Sequence, residues 1–220
     1  MATSRAQRIG IIIIAVVMTV GTIGSFFIMI VANKNTQIDA RESEQQQQAM
    51  QKKLADYQNE ITKYQQEVDK ENAVLGPQYF AIVKSYEGEA APFDGSKVKE
   101  LEKRDIKEGD GAEVKDPIDM RAYYIGWNEK GKIFDSSLEG DTLKPPFSPA
   151  SAIPGWQQGV IGMKIGGVRE LTIPSELAYG KDGQGEDIPA NAPLKFIIVA
   201  IPKSDLKQPE IPQELMQGVQ

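Results

Sequence analysis

Ala152-Ile153-Pro154-Gly155-Trp156 is the stretch that decides how this chain is read. A Pro-Gly pair sets a turn, and one of only two tryptophans in the 220 residues follows at once. Gln157 to Met163 reads as a short helix, closed by Ile165-Gly166-Gly167. A large aromatic at the mouth of a turn is either a core plug or the floor of a binding pocket. Residue type alone favours the plug, so the flanking sequence has to decide.

From Val98 onward, short β-rich runs alternate with turn signals. Met120 to Trp127, Val168 to Ile173 and Leu194 to Ile201 read as strands, and Glu108-Gly109-Asp110-Gly111 as a turn. Asn128 to Lys132 joins two strand-like runs as a tight hairpin. Arg169-Glu170-Leu171-Thr172-Ile173 alternates as a half-buried antiparallel strand does, while Lys195 to Ile201 is apolar enough for a central strand. One antiparallel sheet with a single short helix across it is an α+β plan, with Trp156 where the two meet.

Upstream, the 24 residues Ile9–Ala32 carry no charge and are dominated by Ile, Val, Phe and Met. As a helix they would extend about 36 Å, enough to cross a hydrocarbon core of about 30 Å. A cleaved signal peptide competes, but its apolar region is shorter, about 7 to 15 residues, and Ile30-Val31-Ala32 is a poor small-x-small site. The expectation is an uncleaved anchor in contact with membrane lipid through residues 9–32. Arg5 and Arg8 lie before it, and the mixed, net-acidic set Lys34, Asp39, Arg41, Glu42 and Glu44 lies after it. The positive-inside rule therefore puts residues 1–8 in the cytoplasm and the remainder outside, on the cell membrane. Gly21 and Ser25 form a small-xxx-small pair, a weak helix-pairing signal.

Residues 33–76 are rich in good helix formers and read as a helical stalk. Met50, Leu54, Tyr57, Ile61, Tyr64 and Val68 fall at a 4-3-4-3-4 spacing, a heptad seam that Glu71 breaks. Two readings stay open: a coiled coil, giving a homodimer through the stalk, or a single amphipathic helix lying on the domain that follows. Gly76-Pro77 predicts the helix end. Residues 77–97 read as a linker, 98–203 as the folded domain, and 204–220 as a polar, proline-containing tail that hangs loose.

Composition excludes much chemistry. The chain has no cysteine and no histidine, so it can build no disulfide, thiolate nucleophile, Cys/His zinc site or Ser-His-Asp triad. Net charge is -6 and the sequence pI about 4.9, which argues against a nucleic-acid partner. Gly183-Gln184-Gly185 lacks the strand-before, helix-after context of a phosphate-binding turn. Asp182, Glu186 and Asp187 miss the spacing of a calcium loop. No cofactor and no metal is expected.

Six motifs in order carry a resemblance. They are Tyr124-Ile125-Gly126; Gly131-Lys132-Ile133-Phe134-Asp135-Ser136-Ser137; Ile153-Pro154-Gly155-Trp156 with Gly159 and Met163; Leu171-Thr172-Ile173-Pro174; Ala178-Tyr179-Gly180; and Ile188-Pro189-Ala190-Asn191-Ala192-Pro193-Leu194 before Phe196. Together, over residues 98–202, they resemble the FKBP-type peptidyl-prolyl cis-trans isomerases. The resemblance implies a twisted antiparallel half-barrel sheet wrapped on one short helix, with an apolar pocket between them. It also implies proline-containing polypeptides as substrates, and a role in folding extracytoplasmic proteins. The alternative is a chaperone or scaffold module that grips proline turns with little turnover.

Carried over position by position, the family pocket falls on Tyr124, Phe134, Asp135, Phe147, Ala152, Ile153, Trp156, Tyr179, Ile188 and Phe196. The resemblance makes Trp156 the floor under the proline ring and Tyr124, Phe134 and Phe196 walls. The N–H of Ile153 and the hydroxyl of Tyr179 would hold substrate carbonyls, with Asp135 at the rim. By residue type alone, these aromatics are more often core, and Asp135-Ser136-Ser137 more often a capped turn. The chain departs from the family at Ala152, where a larger aliphatic is common. It departs again between Asp135 and Phe147, where only Lys144 could serve as the basic partner of the aspartate.

Overall fold

The computed structural model describes residues 40–216. The apolar run 9–32, the segment before it and the start of the stalk lie outside the described residues. Among the described residues, no helix is long and apolar enough to cross a membrane. Contacts divide the chain into two units, with breaks after Val68 and after Asp205.

The first unit holds the beginning of helix α1 (Ala40–Ser85) and the tail from Leu206. Met50, Leu54, Tyr57, Ile61, Tyr64 and Val68 form the less exposed face of α1, Tyr57 being buried. The tail is not the loose end that its polarity suggests. Lys53 Nζ pairs with Glu214 at 2.5 Å, and Leu215 beside Glu214 is buried.

The second unit is built on a five-stranded antiparallel sheet. Its strands are β1 (Glu102–Lys107), β2 (Met120–Asn128), β3 (Ile133–Ser136), β6 (Val168–Ile173) and β7 (Leu194–Pro202), in the order β1-β6-β7-β2-β3. A small ribbon, β4 (Leu138–Glu139) with β5 (Thr142–Leu143), follows β3. The central ladder runs from Met120↔Pro202 to Asn128↔Leu194. At the β2–β3 hairpin, Asn128 Oδ1 accepts from the N–H groups of Lys130 and Lys132, at 3.0 and 3.1 Å, and Gly131 takes the positive φ of 77°.

Strand alternation sorts the core into two layers. Ala122, Leu171, Ile173, Phe196 and Ile198 face one cluster with Trp156, Val160 and Met163. Tyr123, Ile125, Trp127, Val168, Ile197, Val199 and Ile201 face the other. The sheet is therefore covered on both faces, and Arg169–Ile173 is buried almost throughout instead of half-buried.

The second cover comes from residues expected to be a linker. α1 does not stop at Gly76-Pro77; it continues to Ser85 with Pro77 inside it. Proline costs a helix interior about 3 kcal/mol. Each large apolar side chain fully buried contributes roughly 1.5–3 kcal/mol. Past the proline, Val83 is buried and Tyr79, Phe80 and Tyr86 pack half-buried on the second cluster, each adding a part of that amount, and together they offset the break. Tyr79 meets Tyr123 with ring centroids 5.8 Å apart, and Arg121 forks onto Glu71 at 2.9 and 3.0 Å. Beyond α1, Trp127 Nε1 donates to Ala91 O at 3.1 Å.

The short helix α2 spans Pro154–Gly159, not Gln157–Met163. Pro154 occupies the first helical position, where its fixed φ and missing N–H cost nothing. Trp156 thus sits inside the first turn. The helix stops before the turn that Gly162 makes at a φ of 82°, and Arg169 donates to Gly159 O at 2.8 Å and, two residues past the helix, to Ile161 O at 3.0 Å. The same guanidinium forks onto Asp105 of β1 at 2.7 and 3.0 Å.

Candidate active site

α2 lies directly against β6. A Cβ on Gly155 would come 2.3 Å from Ile173 Cγ2, and one on Gly159 2.3 Å from Leu171 Cδ1. That close approach presses Trp156 onto the sheet, where it is 3% exposed.

Three rings stand nearly perpendicular to the indole. Tyr124 of β2 lies 5.2 Å away at 89°, Phe196 of β7 5.3 Å at 83°, and Phe147 5.9 Å at 89°. Phe134 of β3 meets Phe196 at 5.6 Å and 87°. Such edge-to-face pairs match the positive ring edge to the negative ring face. Gly126 makes the arrangement possible, since its missing Cβ would fall 2.5 Å from Phe196 and 3.0 Å from Phe134.

These rings surround a cavity of about 360 Å³, which Asp135, Ala152, Ile153 and Tyr179 also line. The structure thus brings nine of the ten expected positions to one cavity. The tenth, Ile188, is 4% exposed and packs in the core cluster behind it. Ser151 and Gln184 line the cavity too, and residue type gave no reason to single them out. A signal for Gln184 did exist. Gly183 and Gly185 both take positive φ, 63° and 60°, and Gln184 pairs with Ile188 across the turn they make. The Gly-x-Gly is thus a tight turn that carries its middle residue to the rim.

The polar groups are few and placed at the edge. Asp135 accepts from the Tyr124 hydroxyl, from Lys144 Nζ at 3.0 Å and from the Ser136 N–H at 2.8 Å. Lys144 is therefore the basic partner, fixed also by Ser136 O at 2.6 Å. Burial raises the Tyr179 hydroxyl above the usual tyrosine range, and the charge of Asp135 adds to it. Tyr179 is thus a neutral donor throughout the physiological range. Neither its hydroxyl nor the N–H of Ile153 has a protein partner among the described residues. No group of three or more acidic, Cys or His side chains among the described residues could hold a metal ion.

An aromatic pocket with two unengaged donors at its edge can take a flat apolar ring and hold the carbonyls beside it. It contains no histidine or cysteine to act as base or nucleophile. Such a pocket suits catalysis by binding one conformation of a substrate better than another.

Comparison with known proteins finds relatives of the folded domain. The sequence model of the family described as FKBP-type peptidyl-prolyl cis-trans isomerase matches residues 110–201. An FK506-binding protein of Neisseria meningitidis serogroup B is 44% identical over 93 residues, covering 42% of this chain and 85% of that protein. FK506-binding protein 4 of Rhizopus delemar is 46% identical over 92 residues, 42% of this chain but only 24% of the fungal one. The crystal structure of AtFKBP13 aligns with 36% identity over 47% of this chain and 93% of that one, at a TM-score of 0.42.

Proposed function

The chain belongs to the FKBP-type peptidyl-prolyl cis-trans isomerases, and we propose that it interconverts the cis and trans forms of X–Pro bonds in polypeptides. The observation that carries this reading is the ring box around Trp156, open to a cavity with unengaged donors at Ile153 and Tyr179.

Rotation about an X–Pro bond breaks no covalent bond. The planar amide resists it with a barrier of about 18–20 kcal/mol, and spontaneous exchange takes tens to hundreds of seconds. In the twisted state resonance is lost and charge separation falls, so an apolar aromatic box favours it over the planar state. The proline ring lies on the indole of Trp156, between Tyr124 and Phe196. Donors at Ile153 and Tyr179 hold the flanking carbonyls, which keeps one side of the bond fixed while the other turns. Binding the twisted amide about 4 kcal/mol better than the planar one accelerates exchange by roughly 10³.

We further propose that residues 9–32 anchor the chain in the cell membrane with the isomerase outside the cytoplasm, acting on proteins folding there. The uncharged 24-residue run and the two arginines before it support this. The seam on α1 supports pairing of two chains, since six apolar positions share one face.

The activity is tested by adding the full-length chain to an X–Pro peptide and following cis–trans exchange by NMR. Faster exchange is expected. Tight binding of the peptide at an unchanged exchange rate would instead make the protein a proline-turn-binding module.

A further inference from the structure

Gln157, the residue after Trp156, spans two main-chain carbonyls of the cavity wall. Its Nε2 donates to Ala150 O at 3.2 Å and to Ala152 O at 3.0 Å. Both partners are acceptors, so both hydrogens of the side-chain amide are used. The segment it grips leads straight into the cavity, which Ser151, Ala152 and Ile153 line.

The second bond has the larger consequence. Ala152 C=O and Ile153 N–H belong to one planar peptide unit, in which they point in opposite directions. Fixing the oxygen fixes where the N–H aims. The next peptide unit is fixed separately, since Ile153 O accepts from the N–H groups of Trp156 at 2.9 Å and Gln157 at 3.3 Å. Ile153 is thus held from both sides, with its own N–H left to the cavity. A hydrogen bond accepted at a carbonyl also polarises the N–H of the same unit and makes it a stronger donor.

We propose that Gln157 is a positioning residue of the isomerase. It touches no substrate, but aims and strengthens the Ile153 N–H that receives the substrate carbonyl; this rests on the isomerase reading given above. The side chain is exposed, so changing it leaves the core intact.

The test compares full-length wild type with Gln157→Glu and Gln157→Ala, using X–Pro peptide exchange and the NMR resonance of the Ile153 amide proton in the free proteins. Glutamate at this position has no hydrogen to donate when ionised, and regains one when protonated. At about pH 7.5 its kcat/KM should fall roughly tenfold, mostly through KM, because the donor holds substrate in ground and transition states alike. That deficit should shrink as pH falls toward the ordinary carboxylate range, about 4.3. The alanine variant should lose activity by a factor independent of pH. In both variants the Ile153 amide proton should move upfield. A Glu variant with wild-type kcat/KM at neutral pH, or with a deficit that pH does not change, would overturn the proposal. So would an unmoved Ile153 amide, and that readout decides the matter even if the wild-type chain proves to have no isomerase activity.

Discussion

The hydroxyl of Tyr124 donates to Asp135, so the ring that stands edge-on to Trp156 is held at its far end by the pocket rim. Wall and rim are one unit. Tyr124→Phe keeps the ring and leaves the carboxylate to Lys144 and the Ser136 N–H; Asp135→Ala takes away the acceptor of all three. Each should lower kcat/KM about three- to tenfold, the effect of one hydrogen bond of about 1 kcal/mol. The double variant should be little worse than Asp135→Ala alone, because that change already removes the bond lost in Tyr124→Phe, together with those from Lys144 and the Ser136 N–H. Additive losses in a double-mutant cycle would show that the two residues act separately.

Gly155 should not tolerate a methyl group. Alanine gains at most about 1 kcal/mol of helix propensity. Its Cβ would sit 2.3 Å from Ile173 Cγ2 and 3.1 Å from the carbonyl of Leu177, and overpacking of this kind costs roughly 1–3 kcal/mol. Gly155→Ala should therefore lower the thermal midpoint by roughly 3 to 10 °C. Peptide binding should weaken as well, because α2 carries Trp156. An unchanged midpoint would mean that the helix can lift off β6 without loss.

The acid limit of stability should depend on Asp105. The hydrogen bonds from Arg169 hold its carboxyl below the usual aspartate range. A carboxyl depressed in the folded state stabilises the fold above its unfolded value, near pH ~3.9, and that contribution is lost as pH falls through the folded value. Asp105→Asn should thus be less stable at pH 7 and show a shallower decline below about pH 4 than wild type. Denaturant midpoints measured across pH would show it; parallel curves would contradict it.

Much of this was legible in the sequence, and the remainder failed for identifiable reasons. The pocket positions come from short motifs around fixed turns, such as Asn128–Lys132 and Pro154-Gly155, where local chemistry sets local structure. The course of α1 past Pro77 could not be read that way. Propensity marks Gly76-Pro77 as a stop, and only the apolar face of Tyr123, Ile125 and Trp127, distant in sequence, makes continuation favourable. The frame of α2 was misplaced for a related reason. Past its last residue the chain turns at Gly162 and is held by Arg169, a residue of β6 whose alternation suggested only a strand. Lys144 is the only basic residue between Asp135 and Phe147, but that it reaches the carboxylate depends on how the β4–β5 ribbon turns the chain back.

The domain boundary should follow packing. A piece beginning at Asp69 retains α1 over the second face of the sheet; one beginning at Val98 uncovers Tyr123, Ile125, Trp127, Val199 and Ile201. Losing cover from several large side chains, each contributing roughly 1.5–3 kcal/mol, exceeds what a domain of this size can spare. The shorter piece should bind a hydrophobic dye and unfold at lower temperature. Equal midpoints would show α1 to be dispensable.

The central claim is that the box around Trp156 accelerates X–Pro isomerisation by holding the twisted amide. The most direct measurement is the exchange rate of an X–Pro peptide with the full-length chain, beside Trp156→Ala verified as folded by its spectrum. The account predicts clear acceleration by wild type and a loss of roughly a hundredfold or more in the variant, the effect of about 3 kcal/mol. Acceleration that survives removal of the indole, or none by the wild-type chain, would contradict it.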